Sequence, residues 1–150
     1  MANTRSVEDE TPSVILDLAR VTRVQAGGKR LRFRATIAVG DKKGMVGIGI
    51  AKGADVAKAV EKAARKAKRD AIHIPIIESG SIPHAIMVKF KAAHILFKPA
   101  PPGTGIKAGG VIRTLCDLAG ITNISAKILG SSNKVTNAQA IIKAFTQFKV

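Results

Sequence analysis

Three arginines at two-residue spacing, Arg30, Arg32 and Arg34, constrain this chain more than any other feature of its sequence. Side chains alternate between the two faces of a strand, so these arginines share one face. The interleaved residues form an apolar set that is expected to face a core: Leu31, Phe33, Ala35, Ile37 and Val39. Guanidinium groups this close repel one another, so the strand predicts an anionic ligand. Phosphate matches best, because the planar guanidinium binds it bidentately.

The overall charge favours the same ligand. The chain carries 25 Lys and Arg against 10 Asp and Glu, a formal net charge of +15 on 150 residues. A polyanion relieves such an excess, although a merely soluble basic surface is the alternative. Hydrophobic residues make up 46% of the chain, but there are five Phe and no Trp or Tyr, so base-stacking platforms are scarce. The composition therefore favours recognition of the backbone and shape of folded RNA or a duplex.

Cysteine content and the N-terminus bear on location. Cys116 is the single cysteine, which excludes an intrachain disulfide and suits a reducing cytosol. No apolar run in the sequence approaches the roughly 18 residues that span a membrane. Residues 1–13 carry three acids and one arginine, which predicts a short disordered acidic tail rather than a secretory signal. We therefore expect a cytoplasmic protein without a membrane partner.

Residues 14–75 predict three strands followed by a helix, the outline of a double-stranded-RNA-binding module. The first strand covers Val14–Val24, the arginine strand follows a Gly27-Gly28 turn, and Gly40–Gly44 forms the next hairpin connection. The third strand has an inward face of Val46, Ile48 and Ile50. Its other face carries only Gly47, Gly49 and Ala51. Such small residues indicate either a close-packed sheet or the close approach of another backbone, protein or RNA.

The predicted helix, Gly53–Ala71, has an apolar face and a basic face. Apolar residues recur at helical spacing: Val56, Val60, Ala63, Ala64, Ala67 and Ala71. The other side carries Lys58, Lys62, Arg65, Lys66, Lys68 and Arg69. Part of this charge has a structural explanation, because cations stabilise a helix C-terminus and Glu61 can pair with Arg65. The remaining excess predicts an anion-binding surface.

A second region, residues 84–150, follows a predicted linker at residues 76–83. We expect strands at Ile86–Phe90, His94–Phe97 and Ile124–Leu129. A helix that stops at Gly120 is predicted from its apolar face: Val111, Ile112, Leu115, Cys116, Leu118 and Ala119. A capping box at Thr136–Gln139 opens the last helix. The apolar face of that helix is Ala138, Ile141, Ile142, Phe145 and Phe148.

The glycine-rich loop Gly103–Gly110 raises the question of whether the chain binds a nucleotide. Its Gly103, Gly105 and Ala108 satisfy the G-x-G-x-x-A spacing of dinucleotide-binding turns. However, proline-rich residues separate the loop from the preceding strand, no acid lies about 20 residues on to hold a ribose, and no Walker A sequence is completed. A nucleotide-using enzyme is therefore the minor alternative. The loop and Lys107 better suit an RNA phosphate or the backbone of a partner protein.

Catalytic residues are scarce in the sequence. The three histidines, His73, His84 and His94, have neither Cys partners nor the spacing of metal ligands. Only Glu78 and Asp117 are acidic after Pro75, so an acid and base pair is hard to assemble. We expect a protein that is not an enzyme and takes no cofactor or metal.

The joint order of several motifs resembles the bacterial-type small-subunit ribosomal protein five family over residues 14–148. The matching segments are Gly27-Gly28-Lys29-Arg30 with Phe33, Val39-Gly40-Asp41, Val46-Gly47-Ile48-Gly49, Lys52, Gly103-Thr104-Gly105-Ile106, and Ala108-Gly109-Gly110 with Arg113. The resemblance implies an α+β fold with an N-terminal module like a double-stranded-RNA-binding domain and a βαβα-type C-terminal domain. It also implies a ribosomal, non-catalytic protein that binds small-subunit rRNA near the decoding region and the mRNA entry channel. Small-subunit proteins four and eight are the implied protein partners, and no homo-oligomer is expected.

The resemblance also implies roles for individual residues of this chain. Gly27–Arg30 match the loop tip that reaches the head and neck of the subunit, near the spectinomycin site. Gly105 and Arg113 match the boundary with protein four, where changes affect decoding accuracy. The chain departs at Ala26, where the family commonly has Lys, so Lys29-Arg30 would supply the charge of that loop.

The candidate sites combine both lines of argument. The candidate rRNA-binding residues are Arg20, Arg23, Gly27, Gly28, Lys29, Arg30, Arg32, Arg34, Lys42, Lys43, Lys52, Lys62, Arg65, Lys66, Arg69, Thr104 and Lys107. The candidate interface residues toward protein four are Gly103, Gly105, Gly109, Gly110 and Arg113. Because the sequence stops at Val150, the contacts of a longer C-terminal tail are not expected. A free double-stranded-RNA-binding regulator is the remaining alternative to a ribosomal protein.

Overall fold

A computed structural model describes residues 11–149, so most of the predicted acidic tail, residues 1–10, lies outside the described residues. The elements are β1 (Ser13–Gln25), β2 (Gly28–Gly40), β3 (Met45–Gly53), α1 (Val56–Arg69), β4 (Ile72–His73), β5 (Ile86–Phe90), β6 (Ala93–Pro99), β7 (Ile106–Lys107), α2 (Gly110–Ala119), β8 (Ile124–Ile128) and α3 (Lys134–Gln147). The chain is therefore α+β, as predicted. The short strands β4 and β7 were not predicted, because two residues carry no periodic signal.

The strands form two four-stranded sheets, in the orders β1-β2-β3-β4 and β5-β6-β8-β7. The first sheet is antiparallel throughout, whereas β7 and β8 pair in parallel in the second. Strands β1 and β2 pair from Ser13 opposite Val39 to Gln25 opposite Gly28, with a bulge between Ile15 and Asp17. The first strand thus begins at Ser13, inside the segment that we assigned to the tail.

Helix α1 packs directly on the bare face of β3. A Cβ built on Gly49 would stand 1.9 Å from the Ala63 carbonyl oxygen, and one on Gly47 would stand 2.2 Å from that of Ala67. The residues of α1 that face the sheet, Ala59, Ala63 and Ala67, are completely buried. The small residues of β3 therefore allow close packing within this chain rather than the approach of another molecule. Ala59 was absent from the predicted apolar face.

The environment of β2 changes along its length. Its second half is buried on both faces, with Ile37 and Val39 against α1 and Ala38 in the core shared with the second sheet. Its first half is exposed, and Leu31 retains 50% of its accessible surface. Strand β3 ends at Gly53, opposite Phe33, so the β1–β2 hairpin extends beyond the sheet. The prediction that Leu31 faces the core is therefore wrong.

One hydrophobic core joins the two halves. Leu16, Val46 and Ile74 pack in the same cluster as the buried residues of α2, α3 and the second sheet. The connecting segment 76–83 is itself packed, because Ile82 is completely buried and the Ser81 Oγ accepts a hydrogen bond from the Ala100 N–H at 3.1 Å. This segment is a folded connection, and the domain boundaries around it stay a prediction.

The second half follows the predicted order closely. All six predicted apolar residues of α2 are buried, and Gly120 ends the helix with a φ of +87°. Helix α3 begins earlier than predicted, at Lys134, because the Asn133 side chain accepts a hydrogen bond from the Val135 N–H at 3.2 Å. The predicted capping box starting at Thr136 is therefore wrong. The predicted apolar face of α3 is confirmed as buried, except that Ile142 is only partly buried.

We predict that Gly49→Ala destabilises the protein by about 3 kcal/mol or more, because the added methyl meets the α1 backbone rather than a side chain that can move. Gly110→Ala is the matched control, since nothing lies within 4 Å of a Cβ built there. Thermal and urea unfolding followed by circular dichroism measure both variants. Equal stabilities of the two would contradict the proposed packing of α1 on β3.

Candidate nucleic-acid interface

Two clefts lined by cations meet at Arg32 and Lys52. The first, of about 240 Å³, is lined by Val21, Thr22, Arg23, Gln25, Arg30, Arg32 and Lys52. The second, of about 540 Å³, is lined by Arg32, Ile50, Ala51, Lys52, Lys62, Arg65, Lys66 and Arg69. None of these lining residues is acidic. We call the cations of the two clefts the basic band: Arg23, Arg30, Arg32, Lys52, Lys62, Arg65, Lys66 and Arg69.

Strand register builds the first cleft. Arg23 on β1 lies directly opposite Arg30 on β2, and Val21 lies opposite Arg32. Cβ atoms of directly opposite residues are about 5 Å apart, and like charges in such a pair destabilise a sheet. Both arginines are exposed. The pair therefore favours an anion that bridges the two guanidinium groups.

Arg34 differs from the other two arginines of β2. Its Nη2 lies 3.4 Å from the Asp17 Oδ2, and its side chain keeps 32% of its accessible surface. The bulge in β1 places Asp17 opposite Thr36, on the arginine face of β2. Arg34 thus has an anionic partner within the chain, and its part in binding a ligand stays a prediction.

The basic face of α1 borders the second cleft. The predicted Glu61–Arg65 ion pair is present, with both side chains largely exposed. The Arg69 Nε donates to the Asp70 Oδ1 at 2.9 Å, and this hydrogen bond raises the pKa of Arg69 and lowers that of Asp70. Exposed pairs of this kind are weak and exchange readily with other anions. Lys62 and Lys66 add two further charges to the same cleft.

The other candidate residues lie outside the clefts. Arg20 and Lys29 are opposite Phe33 and Val24, on the other face of the hairpin. Gly27 forms the tip with a φ of +87°, as position i+2 of a type II turn requires.

Lys42 and Lys43 belong to the β2–β3 turn, roughly 40 Å from that tip by the rise of β2. Gly28 begins β2, and Thr104 and Lys107 belong to the second half of the chain.

Sequence reasoning missed Val21 and Gln25, which line the first cleft. Both lie on the same face of β1 as Arg23, at two-residue spacing. Extending the alternation found on β2 to its partner strand would have identified them.

The glycine loop is held by a residue that no motif predicted. The Asn123 Oδ1 accepts hydrogen bonds from the N–H groups of Gly103 and Gly105 at 3.2 and 3.1 Å. The Asn123 Nδ2 donates to the Ser79 carbonyl at 2.8 Å, and the side chain is buried. These two loop N–H groups are therefore already bonded, and the expectation that they cradle a phosphate is wrong for them.

A third cleft, of about 560 Å³, borders the candidate interface residues. It is lined by Val14, Ile106, Arg113, Thr114, Asp117, Ile121 and Thr122. Nothing lies within 4 Å of a Cβ built on Gly103, Gly105 or Gly110, so these loop positions open outward. Gly109 precedes α2 without a side-chain cap. The surface mixes apolar and charged groups, which is typical of a protein interface.

The single cysteine is chemically inert. Burial raises the pKa of the Cys116 thiol to about 12, so it stays protonated. Within residues 11–149, no group of three His, Cys, Asp or Glu side chains could hold a metal ion. None of the helices in this part of the chain has the length and apolar character needed to cross a membrane.

A continuous basic band on an α+β fold is typical of the class of nucleic-acid-binding proteins. Family models described as ribosomal protein S5, N-terminal domain, and ribosomal protein S5, C-terminal domain, match residues 13–75 and 88–150. The chain belongs to the ribosomal protein S5 family. Members are structural proteins rather than enzymes, so the predicted lack of enzymatic activity is confirmed.

Individual relatives agree with that assignment. The small ribosomal subunit protein uS5 of Thermosynechococcus vestitus is 44% identical over 98% of this chain and 86% of its own length. Protein uS5c of Cyanophora paradoxa is 42% identical over 99% of this chain and 88% of its own length. Protein uS5 of Nostoc punctiforme is 44% identical over 90% of this chain and 77% of its own length. The chain is thus a structural component of the small ribosomal subunit, associated with the ribosome and its rRNA.

We predict that Asn123→Ala destabilises the protein by about 2–4 kcal/mol, because two N–H groups and one carbonyl lose their partner. Asn133→Ala is the control, since that side chain makes one exposed capping bond, worth about 1 kcal/mol. Urea unfolding measures both. A loss of unfolding free energy in Asn123→Ala no larger than that in Asn133→Ala would show that Asn123 does not hold the glycine loop.

Proposed function

We propose that the basic band binds the phosphate backbone of small-subunit rRNA near the decoding region and the mRNA entry channel. In that place the protein supports subunit assembly and translational accuracy. The hairpin tip around Gly27 and Gly28 reaches further rRNA, and Lys29-Arg30 supply its charge. This position follows from the family resemblance, and the charge geometry of the described residues supports it.

One observation carries the proposal. The Arg23–Arg30 pair and the adjoining Arg32 and Lys52 form a continuous set of cations whose clefts contain no acidic lining residue. Each neutralised phosphate releases condensed counterions, so a row of cations gives strong, salt-dependent binding. Contacts to phosphates set the position of a protein on RNA without reading bases. The shortage of aromatic residues agrees with this mode.

The protein partners in this proposal are small-subunit proteins four and eight. We assign the contact with protein four to the surface around the third cleft: Gly103, Gly105, Gly109, Gly110 and Arg113. The outward opening of Gly103, Gly105 and Gly110 and the mixed character of the cleft support this assignment. In the same proposal, residues 14–75 form the rRNA-binding domain, 76–83 the connection and 84–150 the domain that carries this interface.

We predict that Arg32→Ala weakens binding to small-subunit rRNA and makes the slope of log K against log salt shallower by about 1. Arg34→Ala should change the slope less, because its guanidinium already pairs with Asp17. Filter binding with the full chain across a salt series measures both variants. Lys134→Ala, an exposed lysine outside the clefts, is the control for loss of one charge. An unchanged slope for Arg32→Ala would remove Arg32, which lines both clefts, from the rRNA contact and would contradict the proposal.

We predict that Gly105→Asp alters the rate of miscoding more than it alters folding, because the added charge enters the proposed interface with protein four. Gly105 has a φ of +74°, so any side chain there also introduces backbone strain. Gly105→Ala is the control that carries the strain without the charge. A reporter of stop-codon and missense errors in cells measures both. Wild-type error rates for Gly105→Asp would contradict the interface.

A further inference from the structure

The second sheet has one open face, and that face is basic. Helices α2 and α3 cover the other face, where Val88, Ile95, Phe97 and Ile124 are buried. Strand alternation places the intervening residues on the open face: Met87, Lys89, His94, Leu96, Lys98, Lys107, Ser125 and Lys127. None of them is acidic. The basic band is on the first sheet and α1, so this is a separate surface.

Strand register gathers three of these lysines around one serine. Lys98 on β6 and Lys107 on β7 are both paired with Ser125 on β8, the strand between them. Lys127 follows two residues later on the same face of β8 and pairs with Leu96. With strands about 4.8 Å apart and a rise of about 3.3 Å per residue, the three lysine Cα atoms lie within roughly 10 Å of one another. We call this group the lysine triangle: Lys98, Lys107 and Lys127 around Ser125.

The chemistry of the lysine triangle fits a phosphate. All four side chains are exposed. Three ammonium groups and a hydroxyl offer donors from several directions to one tetrahedral anion, with the charge assistance that strengthens such bonds. The sheet fixes the spacing of the four Cα atoms. An anion bound between the three lysines would relieve their mutual repulsion, and none of the residues on this face is a carboxylate that could do so from within the chain.

We infer that the lysine triangle binds a backbone phosphate of a second RNA segment, apart from the segment that the basic band binds. This inference rests on the proposed rRNA binding. Met87, which is 60% exposed, lies in the adjacent cross-strand row and adds apolar contact area for a sugar or base. A chain that binds RNA on both sheets would hold two RNA segments at a fixed distance from each other.

The test uses the full chain with Lys98, Lys107 and Lys127 all replaced by Ala. We expect binding to small-subunit rRNA to weaken at least tenfold, and the salt slope to become shallower by about 2 to 3. Hydroxyl-radical footprinting should show protections lost at nucleotides different from those lost with Arg30→Ala and Arg32→Ala combined. The matched control replaces Lys134, Lys143 and Lys149 by Ala, which removes the same charge from α3 and the residues after it. Circular dichroism confirms that each variant is folded.

Each outcome decides the inference. If the lysine-triangle variant keeps its slope and footprint while the Arg30 and Arg32 variant loses both, the inference is overturned and the proposed function stands. If neither variant changes, both are overturned. Equal losses in the lysine-triangle variant and its control would show a net-charge effect and also overturn the inference. If the lysine-triangle variant keeps its rRNA footprint, but small subunits assembled with it lack an acidic ribosomal protein, the face binds a protein and the inference is overturned.

Discussion

The docking of the β2–β3 turn on the C-terminal end of α2 fixes the two sheets relative to each other. The N–H groups of Lys42 and Gly44 donate to the carbonyls of Leu118 and Ala119 at 2.9 and 2.8 Å. These carbonyls belong to the last turn of α2 and have no partner within the helix. A Cβ built on Gly120 would lie 2.3 Å from the Lys42 carbonyl oxygen, so the contact requires glycine there. The two sheets that carry the basic surfaces are therefore joined through this contact.

The turn itself is shaped by one carboxylate. The Asp41 Oδ1 accepts hydrogen bonds from the N–H groups of Lys43 and Met45 at 2.8 and 2.9 Å. Burial raises the pKa of Asp41, but these donors outweigh it and the net pKa is lowered. The carboxylate is consequently ionised, and the turn formed, at any pH near neutrality. Local chemistry of this kind is visible in a sequence, whereas the surface on which the turn docks is not.

Sequence patterns predicted the elements well because most of them bury one regular face, as the six apolar residues of α2 do. The errors arose where the tertiary environment changes along an element. Leu31 keeps the alternation of β2, but α1 and β3 do not reach it. The candidate site shows the same division. Clustered cations in the sequence predicted a basic surface. The Asp17–Arg34 pair could not be predicted, because it depends on a bulge in β1. The role of Asn123 could not be predicted either, because it depends on the fold bringing Ser79 beside the glycine loop.

Five of the seven acidic residues within residues 11–149 make local contacts inside the chain. Asp17, Glu61 and Asp70 pair with arginines, while Asp41 and Asp55 accept hydrogen bonds from backbone N–H groups. Each therefore stabilises an adjacent strand, turn or helix, and none lines the clefts of the basic band. Glu61 and Asp70 offset only Arg65 and Arg69 of the basic band, so most of the charge on the two basic faces is left for an external anion to neutralise. A polyanion that binds only the folded chain then stabilises that fold by mass action, which couples the stability of this protein to its place in the ribosome.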